Sequence, residues 1–404
     1  MNKRADKRNT RGWWPVCVAA LLALAQLPGC GGSGGVDSGG TGMDTPTLAI
    51  GPISGLGSIV VNGVHYDETS ATVLDGDGQP LTAAALTLGS VTRVDALPAT
   101  STTTATGTRL DAVARTIQVS EVLLGPVESV NTTTGTARVL GQSVATNAGT
   151  VFEATLGSGL ASLRVGDVVA VHGQIDRVGA RVVATRIEPR AGATRYIVRG
   201  PVASLDRTTS RMTVGQLSIN LSEAGTLPPA LDAGAVVRVK LRTTASAGVW
   251  TATALSLDDQ PLPDRPNIEV EGRVTAFTSA QRFSVDGVAV DASAAAFSGG
   301  AVALGKRVEV EGRSSAGVIV ARKVAVDDND GAGDSAIELE GRITAVNPAA
   351  STFVVRGTTV SYDANTRFIS STAADLVLNR MVSVKGRPAA DRSLVQATSI
   401  HVEL

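Results

Sequence analysis

Five times along the chain an apolar run ends on a glycine: AIGPI at Gly51, LLGPV at Gly125, VRGPV at Gly200, VEGRV at Gly272 and LEGRI at Gly341. The steps between these glycines are 74, 75, 72 and 69 residues. A second anchor, G-x-x-V-x-V, follows each: GDVVAV from Gly166, GAVVRV from Gly234, GKRVEV from Gly305, with the variants GSVTRV from Gly89 and NRMVSV from Asn379. A third closes each unit: LDAVARTIQV, RVVATRIEP, WTATALSL, VIVARKVAV and LVQATSIHV. Three anchors in one order, five times over, mean duplication of a single unit. That constrains the fold more tightly than composition does, because every copy must build the same supersecondary structure.

Each unit reads as strands. Ile268, Val270, Gly272 and Val274 alternate with Glu269, Glu271 and Arg273, a period of two that buries one face. A turn-like glycine splits the next strand in FSVDGVAV (283–290) and FVVRGTTV (353–360). An acid or amide follows, Asp67, Asn147, Asn220, Asp291 or Asp363, most simply an Asx-turn that stops the strand. The Ala/Leu-rich stretches LTAAALTL (81–88) and AADLVL (373–378) predict a short helix before the second anchor.

Three strands, a short helix and two strands are the order of an OB-like barrel, whose closure removes exposed edges. The expected fold class is all-β: five tandem small OB-like β-barrel modules of about 70 residues behind a signal and a Gly/Ser tether. The modules are assigned to 47–120, 121–189, 195–258, 267–326 and 336–404, with a Thr-rich insertion (97–107) in the first. Units this small are marginal alone. They are expected to lean on their neighbours, as stacked repeats do. The Glu/Arg faces of the last two modules read as the wet side of a strand.

The N-terminus sets the expected compartment. Lys3, Arg4, Lys7, Arg8 and Arg11 precede a short apolar stretch, Trp13 to Leu27, and then LPGC (27–30). The apolar run is too short for a comfortable membrane span of ~20 residues, and the pattern is that of an export signal. LPGC resembles the lipobox of bacterial lipoproteins. That resemblance implies cleavage after residue 29, lipidation of Cys30, anchoring of residues 30–46 as a Gly/Ser tether and, with Gly31 next, sorting to the outer membrane. Cys17 leaves with the signal, so the mature chain has no disulfide. Removing the n-region's five bases and one acid from the chain's 36 and 37 leaves 31 and 36, a net of about −5. That excludes a basic nucleic-acid footprint.

The GPISGLGSIVVNGVHYD opening (51–67) and the strand–Gly–V-x-V pattern resemble the bacterial family of domain of unknown function 5666. The resemblance spans roughly residues 48–404. It implies tandem repeats behind a lipoprotein signal and carries no catalytic residues.

Catalytic and ligand motifs are thin. GGSGG (31–35) has the nucleophile-elbow spacing but lies in the tether rather than on a strand–helix turn. GAVALGKR (300–307) has Arg307 where a phosphate-binding loop needs Ser or Thr. His65, His172 and His401 are the only histidines and fall in three modules. In DDNDGAGD (327–334), Asp327, Asn329, Asp330 and Asp334 are Ca²⁺ candidates by oxygen content, although the run is most simply a solvated acidic linker. Aromatic residues, 3% of the chain, are too few for a base- or sugar-stacking surface. The expectation is therefore a non-enzymatic cell-envelope lipoprotein without cofactor: a scaffold or module for an envelope protein partner, held to the membrane through Cys30, with no nucleic-acid partner. The alternative is a binding protein for a polysaccharide or divalent cation.

Overall fold

The alternating pattern resolves into thirty strands in a computed structural model that describes residues 47–104, 107–258, 262–327, 336–389 and 394–403. Barrel 1 comprises β1 (Leu48–Leu56), β2 (Ile59–Val61), β3 (Val64–Asp67), β4 (Thr72–Asp75), β5 (Val91–Ala96), β6 (Thr100–Thr104) and β7 (Gly107–Val119). β1 pairs antiparallel with β2 and β5, and β2 with β3. β7 runs antiparallel to β5 and parallel to β3. The ring β1–β2–β3–β7–β5 thus closes in the OB-like order. The Thr-rich insertion forms β6, a hairpin partner of β7.

Barrel 2 comprises β8 (Leu123–Asn131), β9 (Thr136–Val139), β10 (Gln142–Ala145), β11 (Val151–Phe152), β12 (Val168–Asp176) and β13 (Arg181–Pro189). Barrel 3 comprises β14 (Tyr196–Asp206), β15 (Arg211–Val214), β16 (Leu217–Asn220), β17 (Val236–Ser246) and β18 (Val249–Leu257). Barrel 4 comprises β19 (Arg265–Ser279), β20 (Arg282–Val285), β21 (Val288–Asp291), β22 (Ala296–Ser298), β23 (Arg307–Ser315) and β24 (Val318–Asp327). Barrel 5 comprises β25 (Ile337–Asn347), β26 (Thr352–Val355), β27 (Thr358–Ser361), β28 (Arg367–Ile369), β29 (Met381–Pro388) and β30 (Val395–Val402). Each closes as barrel 1 does, by a parallel pair (β10–β13, β16–β18, β21–β24, β27–β30) and an antiparallel one (β8–β12, β14–β17, β19–β23, β25–β29).

The anchors have physical causes. The opening glycine lies beneath the residue that turns the second strand into the third. A Cβ on Gly125 would stand 2.4 Å from Leu140 Cγ, and one on Gly272 would stand 2.4 Å from Asp286 Oδ2. The second anchor is a tight turn whose last residue has φ of 79° at Gly89, 95° at Gly166, 87° at Gly234, 83° at Gly305 and 67° at Asn379. Only Gly, with Asn as the tolerated substitute, adopts that region at little cost. Each turn N–H donates to the first strand of its barrel, to the carbonyls of Ile53, Val127, Val202, Val274 and Ile343 respectively.

All five strand-stopping residues form Asx-turns. Asp67, Asn147, Asn220, Asp291 and Asp363 accept, through Oδ1, from the backbone N–H two residues on. The predicted short helix does not form. Its place is taken by single 3₁₀ turns at Ala83–Ala85, Gly159–Ser162 and Ala373–Asp375, and barrels 3 and 4 have none there among the described residues. A stretch this short cannot offset the cost of helix nucleation, and Leu86, Leu163 and Leu376 must turn inward to fill their barrels.

The cores depart from simple neighbour stacking. Barrels 2 and 3 share one continuous core, with β8 and β14 paired antiparallel across the boundary. Barrel 1 instead joins barrels that lie far along the chain, through both ends of β1.

Candidate functional site

The candidate site is the set of junctions around barrel 1. The first half of β1, Leu48–Ile50, runs parallel to Ile268–Val270 of β19. Its last residues, Gly55 and Leu56, run parallel to Glu338 and Leu339 of β25. Alternation then divides β1 between two barrels: Ala49 and Ile53 point into the core of barrel 1, and Leu48 into that of barrel 4. Leu88 similarly leaves barrel 1 and buries in the core of barrel 5. Burying a Leu in this way stabilises by roughly 1.5–3 kcal/mol.

In barrel 4 the wet-face expectation fails, whereas in barrel 5 Arg342 on the corresponding face is exposed. Glu269 stands opposite Ala49 of barrel 1 and is 4% exposed, and Arg273 is 3% exposed. Burial pushes the Glu269 carboxyl well above its ordinary range, helped by its hydrogen bond to Glu309 and by the charges of Glu309, Glu311 and Glu271. Burial, with Glu271 and Glu311, also raises Glu309 against the opposing hydrogen bond from Glu269 and the charge of Lys323. Two buried carboxyl groups bonded to one another hold a proton between them. The other acids on this face have cations: Arg307 bonds Glu271 and Asp327, and Lys323 bonds Glu311 at 3.3 Å. A polar face was visible in the sequence. Its coverage by a strand 220 residues away was not, because parallel pairing uses backbone groups that every residue carries.

In barrel 5, Glu338 Oε2 lies 3.3 Å from His65 Nε2 of barrel 1, and Lys385 Nζ lies 2.9 Å from Glu338 Oε1. Burial alone would raise Glu338, but the hydrogen bonds from His65 and Lys385 and their charges hold it at about 2. Ser58 Oγ is 3.2 Å from His65 Nδ1, so Ser, His and Glu stand in a row. Lys385 occupies the far oxygen of Glu338, and the row clips two barrels together. Arg109 of barrel 1 bonds Glu340 at 2.9 Å.

Barrel 2 grips barrel 1 through its turn. Thr185 Oγ1 donates to the Gly89 carbonyl at 2.6 Å and Arg186 Nη1 to the Leu88 carbonyl at 3.2 Å. Arg186 is held in turn by Glu188, which also faces His172 and Arg190. Burial would raise Glu188, but the His172 hydrogen bond and the charges of Arg186, His172 and Arg190 hold it at about 2. His172 Nδ1 is 3.1 Å from the Ser120 carbonyl, at the barrel 1–2 boundary. Barrel 3 reaches barrel 1 by Arg195, Arg238 and Lys240, which converge on Asp77 at 3.1–3.5 Å. Barrel 1 thus contacts all four others.

Between barrels 1, 2, 4 and 5 these contacts leave a cavity of about 120 Å³ lined by Asn62, Gln174, Arg273, Arg307, Glu309 and Asp327. Its charges are largely spent on one another. A groove of about 470 Å³ lies on barrel 4 alone, along β20, β21 and β24, with Arg282, Asp291 and Arg313 in its walls.

Of the sequence candidates, Asp327 is not a free linker acid. It ends β24 as a buried partner of Arg307. Asn329, Asp330 and Asp334, the signal (1–29), Cys30 and the tether (30–46) lie outside the described residues. Among the described residues no group of three or more His, Cys, Asp or Glu is placed to hold a metal ion. The GAVALGKR segment is the anchor turn before β23.

A family model described as Domain of unknown function (DUF5666) matches residues 50–107, 125–188, 271–325 and 340–401. The chain belongs to this family. The four matched DUF5666 regions fall on barrels 1, 2, 4 and 5, while barrel 3 closes in the same strand order outside them. Comparison with curated proteins gives no match. Among solved structures, drosophila Unr CSD456 is similar at 12% identity over 52% of this chain and 97% of that one, with a TM-score of 0.14. At that score the likeness carries no argument about this DUF5666 chain.

Proposed function

We propose that the chain is a non-catalytic, lipid-anchored scaffold of the bacterial cell envelope, in which five barrels joined around the first present a surface to an envelope protein partner. The observation that supports a scaffold is the use of polar groups. Buried ion pairs such as Glu188 with Arg186 and Glu338 with His65, and the Glu269–Glu309 carboxyl pair, tie barrel to barrel or strand to strand. The anchor is supported by the sequence, by LPGC before a Gly/Ser tether. Acyl chains add about 0.8 kcal/mol per buried methylene, and two or more hold a protein stably. Among the described residues no helix is long and apolar enough to cross a membrane.

Metabolic labelling with a radioactive fatty acid tests the anchor: wild type takes up label and Cys30→Ala does not. Label on Cys30→Ala removes the anchor reading. Cross-linking in intact envelopes tests the scaffold, and failure to recover a reproducible partner counts against it.

A second reading, a polysaccharide ligand, is favoured by the barrel 4 groove. It lies on the second and third strands of the barrel, the face on which OB-like barrels hold oligosaccharides. Titration with a glycan panel that gives no heat removes it.

A further inference from the structure

A second and larger cavity, about 570 Å³, lies where barrels 1, 2 and 5 meet. Small-molecule sites commonly enclose about 300–1,000 Å³, with apolar walls and a few placed polar groups. This cavity has that make-up. Ile59 and Leu86 of barrel 1, Phe152 of barrel 2 and Ile337 of barrel 5 line it, and all four are buried.

Among these apolar side chains stands one deeply buried cation. Arg186 lines the cavity with its side chain 8% exposed. Its Nε donates to Glu188 at 2.9 Å and its Nη1 to the Leu88 carbonyl at 3.2 Å. Nη2 has no hydrogen-bond partner among the described residues and keeps an accessible surface. The charge count agrees. Arg186 and Arg190 share the single carboxylate of Glu188, which leaves one positive charge unmatched even before His172 is counted.

On the barrel 5 side, Arg356 adds a second cation to the wall, with Nε and Nη2 on the carbonyls of Glu340 and Gly57. Two acids also line the cavity, Glu68 and Glu153, but both are only half-buried and are hydrogen-bonded within their own barrels. Glu68 Oε2 accepts from the Ile59 N–H at 3.3 Å, and Glu153 Oε2 from the Thr155 N–H at 3.1 Å and from the Thr155 hydroxyl. Charges near water are screened, and one held among apolar side chains is screened much less. The buried guanidinium therefore sets the charge that the cavity prefers.

We propose that this cavity binds an amphiphilic carboxylate, an aliphatic chain whose head accepts from Arg186 Nη2 and whose body lies against Ile59, Leu86 and Phe152. One free nitrogen has donors for a single carboxylate rather than for the several oxygens of a phosphate. The head completes a charge-assisted hydrogen bond away from bulk water, where such bonds are strong. The chain adds apolar burial against three barrels at once. Binding depends on neither the lipid anchor, nor an envelope partner, nor the barrel 4 groove.

Equilibrium dialysis of radiolabelled decanoate against the full chain tests it, with the same neutral detergent on both sides of the membrane. Wild type is expected to bind decanoate saturably at one site, and decanol, which lacks the charge, about tenfold more weakly or worse. Arg186→Lys keeps a cation for Glu188 but loses Nη2, and is expected to weaken decanoate by a similar factor. Ala84 is an exposed lining residue, so Ala84→Trp is expected to fill the cavity and abolish binding with unchanged thermal unfolding. Arg282→Gln, in the barrel 4 groove, is expected to bind as wild type does. The proposal is overturned by a wild type without saturable binding, by decanol binding as tightly as decanoate, or by an Ala84→Trp chain that binds like wild type. Loss of binding in Arg282→Gln overturns it too, by moving the site to barrel 4.

Discussion

The phenol oxygen of Tyr66 in barrel 1 and Oε1 of Glu269 in barrel 4 are both buried without a hydrogen-bond partner, close enough that the carboxylate's charge acts on the phenol. Burial first and Glu269 second push the Tyr66 hydroxyl far above its ordinary range. Two buried polar atoms, one from each barrel, thus lie without partners inside the junction that β1 and β19 create.

The Glu269 carboxyl has a raised pKa in the folded chain, so it favours folding when protonated. That contribution is complete below the ordinary glutamate range and is lost as pH rises through the folded value. Glu269→Gln removes the cost of ionisation at high pH and keeps a neutral side chain. Urea unfolding is expected to show the variant more stable than wild type by about 1 kcal/mol at pH 8, with the difference gone by about pH 4. Equal stability at both pH values would mean that Glu269 stays ionised in the folded chain.

Glu188 and Glu338 behave in the opposite sense. Each is held at about 2 in the folded chain, against an ordinary value of 4.5. Their contribution is present above 4.5 and is lost as pH falls toward 2. Thermal unfolding from pH 7 to pH 2.5 is expected to show a steep acid limb. Glu188→Gln lowers stability at pH 7 and flattens that limb, and an unchanged limb would assign acid lability elsewhere.

Gly125→Ala places a methyl group on Leu140. Overpacking of this kind costs roughly 1–3 kcal/mol. In a Leu140→Ala background the space is open, so the same glycine substitution is expected to cost less than half as much. A double-mutant cycle on chemical unfolding measures the coupling.

Leu88 and Leu304 occupy the same repeat position in different surroundings, at 4% and 43% exposure. Leu88→Ala is expected to cost about 2–4 kcal/mol through the cavity it leaves in barrel 5. Leu304→Ala is expected to fall within about 0.5 kcal/mol of wild type. Similar costs at both would show that the position serves its own barrel rather than its neighbour.

The contrast between these two leucines marks what sequence could convey. The anchors fixed the number of units, their order of strands and the Asx-turns at Asp67, Asn147, Asn220, Asp291 and Asp363, because each depends on local backbone geometry that particular residues select. Leu88 and Leu304 are indistinguishable by pattern, and only tertiary packing separates them. Glu269 likewise reads as a solvated strand residue, since alternation tells which face is polar but not what lies over it. His65 and Glu338 are 273 residues apart and become partners only when the first and last barrels meet. The helix expected at 81–88 failed on length, and its Leu86 is needed inside the barrel.

The use of β1 as a shared strand has a consequence for biogenesis. Its first half has β5 on one side and β19 on the other, and its end needs β25. β19 and β25 are made long after β1, so during synthesis the growing chain carries an unsatisfied strand edge that invites pairing with other chains. A product ending after barrel 3 would keep that edge permanently. Premature termination or proteolytic clipping downstream of residue 258 should therefore yield a sticky remnant rather than a shorter working protein, and a holding chaperone would have its greatest effect during the interval before barrels 4 and 5 arrive.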